Sequence, residues 1–181
     1  MRLVLAGLLA VVVSCATRAS LPPDSSEPIH LTIVATNDFH GWLTPHERPR
    51  PEGGTIQIGG VDLLASFVST LRCENPGGVL LVDGGDLFQG TLASNLTEGA
   101  AVIEAYNRLG YDAAALGNHE FDFGPVGIQV TVHGPGEDPL GAIKERVKEA
   151  QFPVVASNVT EKGSKRVPSW LRTGTIVEKN G

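Results

Sequence analysis

Residues 31–43 read LTIVATNDFHGWL, and the interpretation of the whole chain starts from this stretch. Its first half is apolar and rich in β-branched residues, which favours a short β-strand over residues 30–36. The polar stretch that follows, residues 37–41, places Asp38 and His40 two positions apart. The stretch therefore predicts a strand that delivers a carboxylate and an imidazole at its carboxyl end.

The same pattern, an apolar run followed by polar residues, recurs three times. The three further predicted strands are residues 78–82, 113–116 and 154–156, and the predicted helices between strands are residues 61–71, 99–109 and 139–150. Regular alternation of strands and helices favours an α/β fold with helices packed on the faces of a largely parallel sheet.

Ligands of open α/β sheets bind beyond the carboxyl ends of the strands. The polar residues that follow the predicted strands are therefore expected to converge on one edge, and they include Asp38, His40, Asp86, Asn118 and His119. The alternative is that each is only a turn residue, since Asp, Asn and Gly are common in turns for backbone reasons.

The charge of the chain argues against nucleic acid as a partner. The 181 residues carry a net charge of -6, and the isoelectric point is near 5.3. A basic surface of the kind that binds nucleic acid is not expected from this composition. A small anionic substrate would need a local cation to hold it.

The amino terminus has the pattern of an export signal. An apolar run over residues 3–13 follows Arg2 and is too short to span a bilayer but typical of a signal peptide. Residues 12–15 (VVSC) also resemble a bacterial lipobox, in which Cys15 is lipidated and anchors the protein to a membrane. Cleavage after Ala16 or Ala19 is the alternative.

These patterns divide the chain into three parts: a signal peptide or lipoprotein signal (1–15), a flexible Ser- and Pro-rich tether (16–28) and one α/β domain (29–181). The protein is expected to be exported, either to the periplasm, to a lipid-anchored position at the cell envelope, or out of the cell. An internal disulfide at Cys73 is not expected for either kind of processing.

The predicted ligand set suits divalent metal ions. Carboxylates, an imidazole and an amide form a mixed oxygen and nitrogen set of the kind that Zn, Mn or Fe prefers. Two ions sharing Asp86 could sit about 3.5 to 4 Å apart and hold a phosphoryl group between them. Metal-bound water can then act as the nucleophile, which fits a sequence without a G-x-S-x-G motif.

His119 is expected to face the substrate, stabilise the transition state and protonate the leaving oxygen. Asp122, three residues later, could accept the ring N–H of His119 and fix its tautomer. The alternative for Asp122 is a helix or turn cap. Glu120 and Phe121 are expected to be packing or hydrogen-bonding supports.

Three blocks of sequence together resemble one known family. Residues 31–43, residues 85–90 (GDLFQG) and residues 111–122 (YDAAALGNHEFD) are similar to the signatures of the 5'-nucleotidase and UDP-sugar hydrolase family of calcineurin-like metallophosphoesterases. A looser similarity extends through residues 153–159. The resemblance implies the N-terminal half of a four-layer α/β/β/α domain, apparently truncated.

The resemblance also implies a role for each matched residue. Asp38 and His40 would bind the first of two divalent ions, Asp86 would bridge both ions, and Asn118 would bind the second. His119 and Asp122 would form the catalytic dyad. Family members commonly hydrolyse nucleoside 5'-monophosphates; some cleave UDP-sugars or cyclic nucleotides, and one branch hydrolyses a sulfur-oxidation intermediate.

The chain departs from the family pattern after its first half. Further metal-binding histidines and a C-terminal substrate domain, which the family pattern includes, do not occur before Gly181, and residues 175–181 are predicted to be a strand entering a turn. Two alternatives to a 5'-nucleotidase therefore stay open. One is a non-catalytic metal-binding surface protein, and the other is a hydrolase of another phosphate or sulfur compound.

Overall fold

The computed structural model describes residues 28–180, so the predicted signal segment, Cys15 and nearly all of the tether lie outside the described residues. In chain order the elements are β1 (Thr32–Thr36), β2 (His46–Pro49), β3 (Thr55–Ile58), α1 (Val61–Glu74), β4 (Val79–Asp83), α2 (Leu92–Asn95), α3 (Ala100–Leu109), β5 (Ala113–Ala115), a 3-10 turn (His119–Phe121), α4 (Gly141–Glu149) and β6 (Val154–Val155).

The main sheet has the order β1-β4-β5-β6, and all three of its strand pairs are parallel. Thr36 at the end of β1 is paired with Asp83 at the end of β4. The α/β prediction with a parallel sheet is therefore confirmed. Because all four strands run the same way, the loops that leave them emerge along one edge.

The core lies against one face of this sheet. Val79, Leu81 and Asp83 alternate along β4 and are buried, as expected for one face of a strand. Helix α3 contributes four buried side chains, those of Val102, Ile103, Tyr106 and Leu109. The helix ends at Gly110, whose φ of 68° provides the left-handed closure that glycine adopts at little cost.

Two segments differ from the sequence-based expectation. Between β1 and α1, where the sequence analysis predicts no element, β2 and β3 form an antiparallel hairpin. The side chains of β2 are all exposed, so no alternation of apolar and polar residues marked the strand.

The strand predicted over residues 175–181 is wrong for the described residues 175–180, which have no regular secondary structure. Thr, Ile and Val in this segment have high β-propensity, but propensity alone does not supply a partner strand. Side-chain contacts hold the segment instead: Lys179 Nζ lies 2.7 Å from Asp112 Oδ1.

Within residues 28–180, no helix is both long enough and apolar enough to cross a membrane. Cys73, near the end of α1, is exposed and carries a free thiol.

The central position of β4 leads to a prediction about stability. Leu81 is fully buried, so Leu81→Ala is expected to lower the free energy of unfolding by about 2 to 5 kcal/mol through lost burial and a residual cavity. Leu63→Ala is the control, because Leu63 is half exposed on α1 and its loss should change the free energy by less than about 0.5 kcal/mol. Chemical denaturation of both variants measures the difference, and equal effects would contradict the assignment of the core.

Candidate metal centre

The loops after β1 and β4 are joined by backbone hydrogen bonds that continue beyond the strands. The N–H groups of Asp38 and His40 donate to the carbonyls of Gly85 and Asp86, each at 3.0 Å. The N–H of Gly41 donates to the carbonyl of Leu87 at 2.9 Å. These bonds place residues 38–41 beside residues 85–87.

Three of the predicted metal ligands have a left-handed backbone. The φ angles are 51° for Asp38, 47° for His40 and 61° for Asp86. This conformation is uncommon for residues other than glycine and is concentrated at functional sites. Its occurrence at three residues of adjoining loops is a signal of function that is independent of their side-chain chemistry.

A buried carboxylate lies under the turn from β4 to Asp86. Asp83 accepts hydrogen bonds from the hydroxyl of Thr36, from the hydroxyl of Tyr106 (2.9 Å) and from the N–H of Gly85 (2.7 Å). Burial raises the pKa of Asp83, although these three hydrogen bonds oppose the rise. The network fixes the start of the loop that carries Asp86.

The loop after β5 touches the Asp86 loop through backbone. A Cβ atom on Gly85 would lie 2.7 Å from the backbone nitrogen of Gly117, so this position excludes a side chain. Asp86 Oδ1 accepts the N–H of His119 at 3.1 Å. The third polar block is thereby brought against the first two.

Three side chains meet where these loops converge. Each of His40, Asp86 and His119 offers one ligand atom, and these atoms all lie within 4.8 Å of one another. The rings of His40 and His119 meet edge to face with centroids 5.1 Å apart. A divalent ion needs several such donors at one point, and imidazole with carboxylate is a set that Zn, Mn or Fe accepts.

The tautomer of His40 leaves a lone pair for a ligand. Its Nδ1–H donates to the carbonyl of Gln89 at 2.6 Å, since a carbonyl can only accept. The Nε2 atom is then the acceptor of the neutral ring and lies 3.8 Å from Asp38 Oδ1. A backbone carbonyl that orients a histidine in this way is typical of metal sites. The residues present therefore fit a divalent metal.

One ring nitrogen of His119 is also engaged in a hydrogen bond within the protein. Its Nδ1–H donates to Asp122 Oδ2 at 2.7 Å, the contact that the sequence predicted. This hydrogen bond raises the pKa of His119. The Nε2 atom is the nitrogen left for a substrate or an ion.

The predicted residues are therefore close together but not equivalent. His40 and Asp86 lie in the three-residue cluster, and Asp38 adjoins it while its own side chain is 61% exposed. His119 was expected to face the substrate, and it is also the third member of this cluster. Asn118 lies on the loop between Gly117 and His119, and its backbone carbonyl accepts the N–H of Phe121 at 3.2 Å.

Glu120 has a larger part in this site than the sequence suggested. Its side chain is only 1% exposed and accepts hydrogen bonds from the backbone N–H groups of both the β4 and the β5 loops. Burial raises the pKa of Glu120, and the hydrogen bonds that it accepts oppose that rise. The sequence predicted that Glu120 is a packing or hydrogen-bonding support, but it did not identify the partners.

Residues 31–164, which include all three loops, match a known family that is described as calcineurin-like phosphoesterase. The chain belongs to the calcineurin-like phosphoesterases. This result confirms the resemblance inferred from the three sequence blocks and shows that the homologues are hydrolases.

Named relatives of this phosphoesterase chain include 5'-nucleotidases. It is 39% identical over 141 residues to the 5'-nucleotidase of Bos taurus, covering 77% of this chain and 22% of the bovine protein. The structure of the 5'-nucleotidase precursor from Thermus thermophilus matches with a TM-score of 0.64 and 34% identity, covering 81% of this chain and 26% of that one.

The NAD nucleotidase of Haemophilus influenzae matches with a TM-score of 0.62 and 26% identity, covering 78% of this chain and 23% of that one. The chain thus spans about a fifth to a quarter of the length of these relatives.

The hydrogen bond between His119 and Asp122 can be tested by titration. Asp122→Asn removes the carboxylate that raises the pKa of His119, so this pKa should fall in the metal-free protein. Nuclear magnetic resonance of the histidine ring protons, with a chelator present, measures the change. Asp62→Asn on the exposed side of α1 is the control and should leave the titration of His119 as it is. An unchanged pKa in Asp122→Asn would show that the pair does not form in solution.

Proposed function

We propose that the protein is a metal-dependent phosphoester hydrolase with 5'-nucleotidase activity, which releases phosphate from nucleoside 5'-monophosphates. The observation that carries the proposal is the cluster of His40, Asp86 and His119 at the carboxyl ends of the strands, in a chain of the calcineurin-like phosphoesterase family. The names of its relatives supply the substrate class.

Two divalent ions are the proposed cofactors. Asp38 and His40 would hold one ion, Asn118 the other, and Asp86 would contribute to both. The free Nε2 of His40 and the neighbouring Asp38 oxygen support the first assignment. When bound, such ions stabilise charge on a phosphoryl oxygen and lower the pKa of bound water to about 7.

The proposed role of His119 follows from its hydrogen bond. Asp122 accepts the Nδ1–H hydrogen bond, which leaves Nε2 available for a substrate. Because the pKa of His119 is raised, this ring is protonated in a larger fraction of the molecules at neutral pH. His119 can therefore stabilise negative charge through Nε2–H and give this proton to the leaving oxygen of the nucleoside.

A measurement of phosphate release from AMP tests this function. Release should require Zn²⁺ or Mn²⁺, stop in the presence of a chelator, and fall to background in Asp86→Ala, because Asp86 is the proposed shared ligand. The matched control is Glu104→Gln, which alters an exposed carboxylate paired with Arg108 on α3 and should retain activity.

Each contrary outcome identifies another function. Turnover that is independent of metal would contradict the proposal. Metal binding without turnover would favour the non-catalytic surface protein. A panel of nucleoside monophosphates, other phosphate esters and sulfur compounds would distinguish a 5'-nucleotidase from a hydrolase with another substrate.

We also propose that the protein is exported and is either lipid-anchored through Cys15 or released after cleavage. The support is the apolar run over residues 3–13 and the lipobox-like residues 12–15. The mass of the amino-terminal peptide of the mature protein should show a start at Cys15 with lipid, or a start after Ala16 or Ala19. An amino terminus at Met1 would contradict export by this signal.

A further inference from the structure

Glu120 lies directly between two of the loops that form the metal centre. Its carboxylate accepts four backbone hydrogen bonds, and its side chain is only 1% exposed. Three donors come from the loop after β4 and one comes from the loop after β5. No other group on these loops joins so many backbone donors among the residues that the structure describes.

The two oxygens divide these donors. Glu120 Oε2 accepts the N–H of Asp86 at 3.0 Å and the N–H of Gly117 at 2.7 Å, and so connects the two loops through one atom. Glu120 Oε1 accepts the N–H of Leu87 at 2.6 Å and that of Phe88 at 3.3 Å. Only an ionised carboxylate offers two acceptor oxygens with no donor among them.

The contact is reciprocal across the two loops. Glu120, from the β5 loop, holds the backbone of Asp86, while the side chain of Asp86 accepts the N–H of His119. Asp86 also has a left-handed backbone, a conformation that surrounding contacts must maintain. A change at Glu120 would therefore move the Asp86 carboxylate relative to the His119 ring.

We propose that Glu120 is a positioning residue, whose carboxylate sets the spacing of Asp86 and His119 before an ion binds. The inference rests on the proposed function, because it assumes that Asp86 binds metal and that His119 acts beside the bound ions. It goes further by assigning the geometry of the ligands to a group that touches neither ion nor substrate. Outer partners of metal ligands commonly influence metal affinity by about 10- to 100-fold.

A buried carboxylate could also matter only for stability, so the test needs a matched control. Asp112 is suitable because its side chain is 16% exposed and its Oδ2 accepts the N–H of Leu81 at 2.8 Å. It precedes β5, at the opposite end of the strand from the metal centre. Asp112→Asn therefore weakens a carboxylate–backbone contact of the same kind without touching the ligands.

The experiment compares Glu120→Gln, Asp112→Asn and the wild type as full chains titrated with Co²⁺. The Gln side chain has nearly the same shape, but it turns an NH₂ group toward two backbone N–H groups. We expect Glu120→Gln to bind Co²⁺ at least about tenfold more weakly and to change the intensity of its visible absorption, which reports ligand geometry. Asp112→Asn should keep the wild-type affinity and spectrum even if its melting temperature falls.

The outcomes separate the inference from the function on which it rests. Wild-type affinity and spectrum in Glu120→Gln would overturn the positioning role and leave the proposed function intact. Absence of Co²⁺ binding by the wild type would overturn both.

A second measurement decides the matter if Glu120→Gln does not fold. In the metal-free wild type, the amides of Asp86, Leu87 and Gly117 should exchange slowly with deuterium because Glu120 already holds them. Rapid exchange of these amides, in a protein whose β4 amides are protected, would overturn the proposal.

Discussion

The hydrogen bonds between the loops that follow β1, β4 and β5 are the constraint on which the candidate site depends. A parallel sheet brings strand ends to one edge, but it does not by itself fix the distance between side chains several residues later. Here the β1 and β4 loops are joined through main-chain bonds, and the β4 and β5 loops through Glu120 and Asp86. Buried N–H groups need acceptors. The hydrogen bonds that stabilise the loops therefore also set the spacing of the proposed ligands.

These contacts also explain how the backbone tolerates its unusual angles. Left-handed residues other than glycine cost about 1 to 3 kcal/mol each, and Asp38, His40 and Asp86 all adopt this conformation. The N–H of each of the three donates to a neighbouring loop or to Glu120. With these backbone angles, the side chains of His40 and Asp86 lie close together although they follow different strands. The strain is located where the chemistry is proposed to occur.

The sequence predicted the elements whose pattern comes from burial. The four strands of the parallel sheet were recognisable as apolar runs that end in polar residues, and these polar ends indicated the edge that carries the site. The three longer helices lie between the strands, as predicted. The hairpin of β2 and β3 was missed because β2 (HERP) is polar and fully exposed, and β3 (TIQI) alternates over only four residues. Propensity predicted a strand near Ile176, whereas strand formation needs a partner that the described residues do not supply.

The sequence predicted that the candidate site residues converge at one edge of the sheet, but it predicted few of the contacts between them. The candidate residues could be inferred from their positions after the predicted strands. The hydrogen bond between His119 and Asp122 could be inferred from their spacing of three residues. The approach of His119 to His40 and the four donors of Glu120 depend on how two loops pack, and no local pattern encodes this.

The long separation between Asp86 and Glu120 has a consequence for how the protein is made. The donor and its acceptor are 34 positions apart, and the intervening chain includes all of α3 and β5. A growing polypeptide that has reached the turn after β4 already contains Asp38, His40 and Asp86, yet this turn still lacks the carboxylate that holds it. The ligands can acquire their final arrangement only after α3 has packed and β5 has joined the sheet. A peptide that ends before Glu120 therefore lacks the acceptor for the backbone N–H groups of Asp86, Leu87 and Phe88.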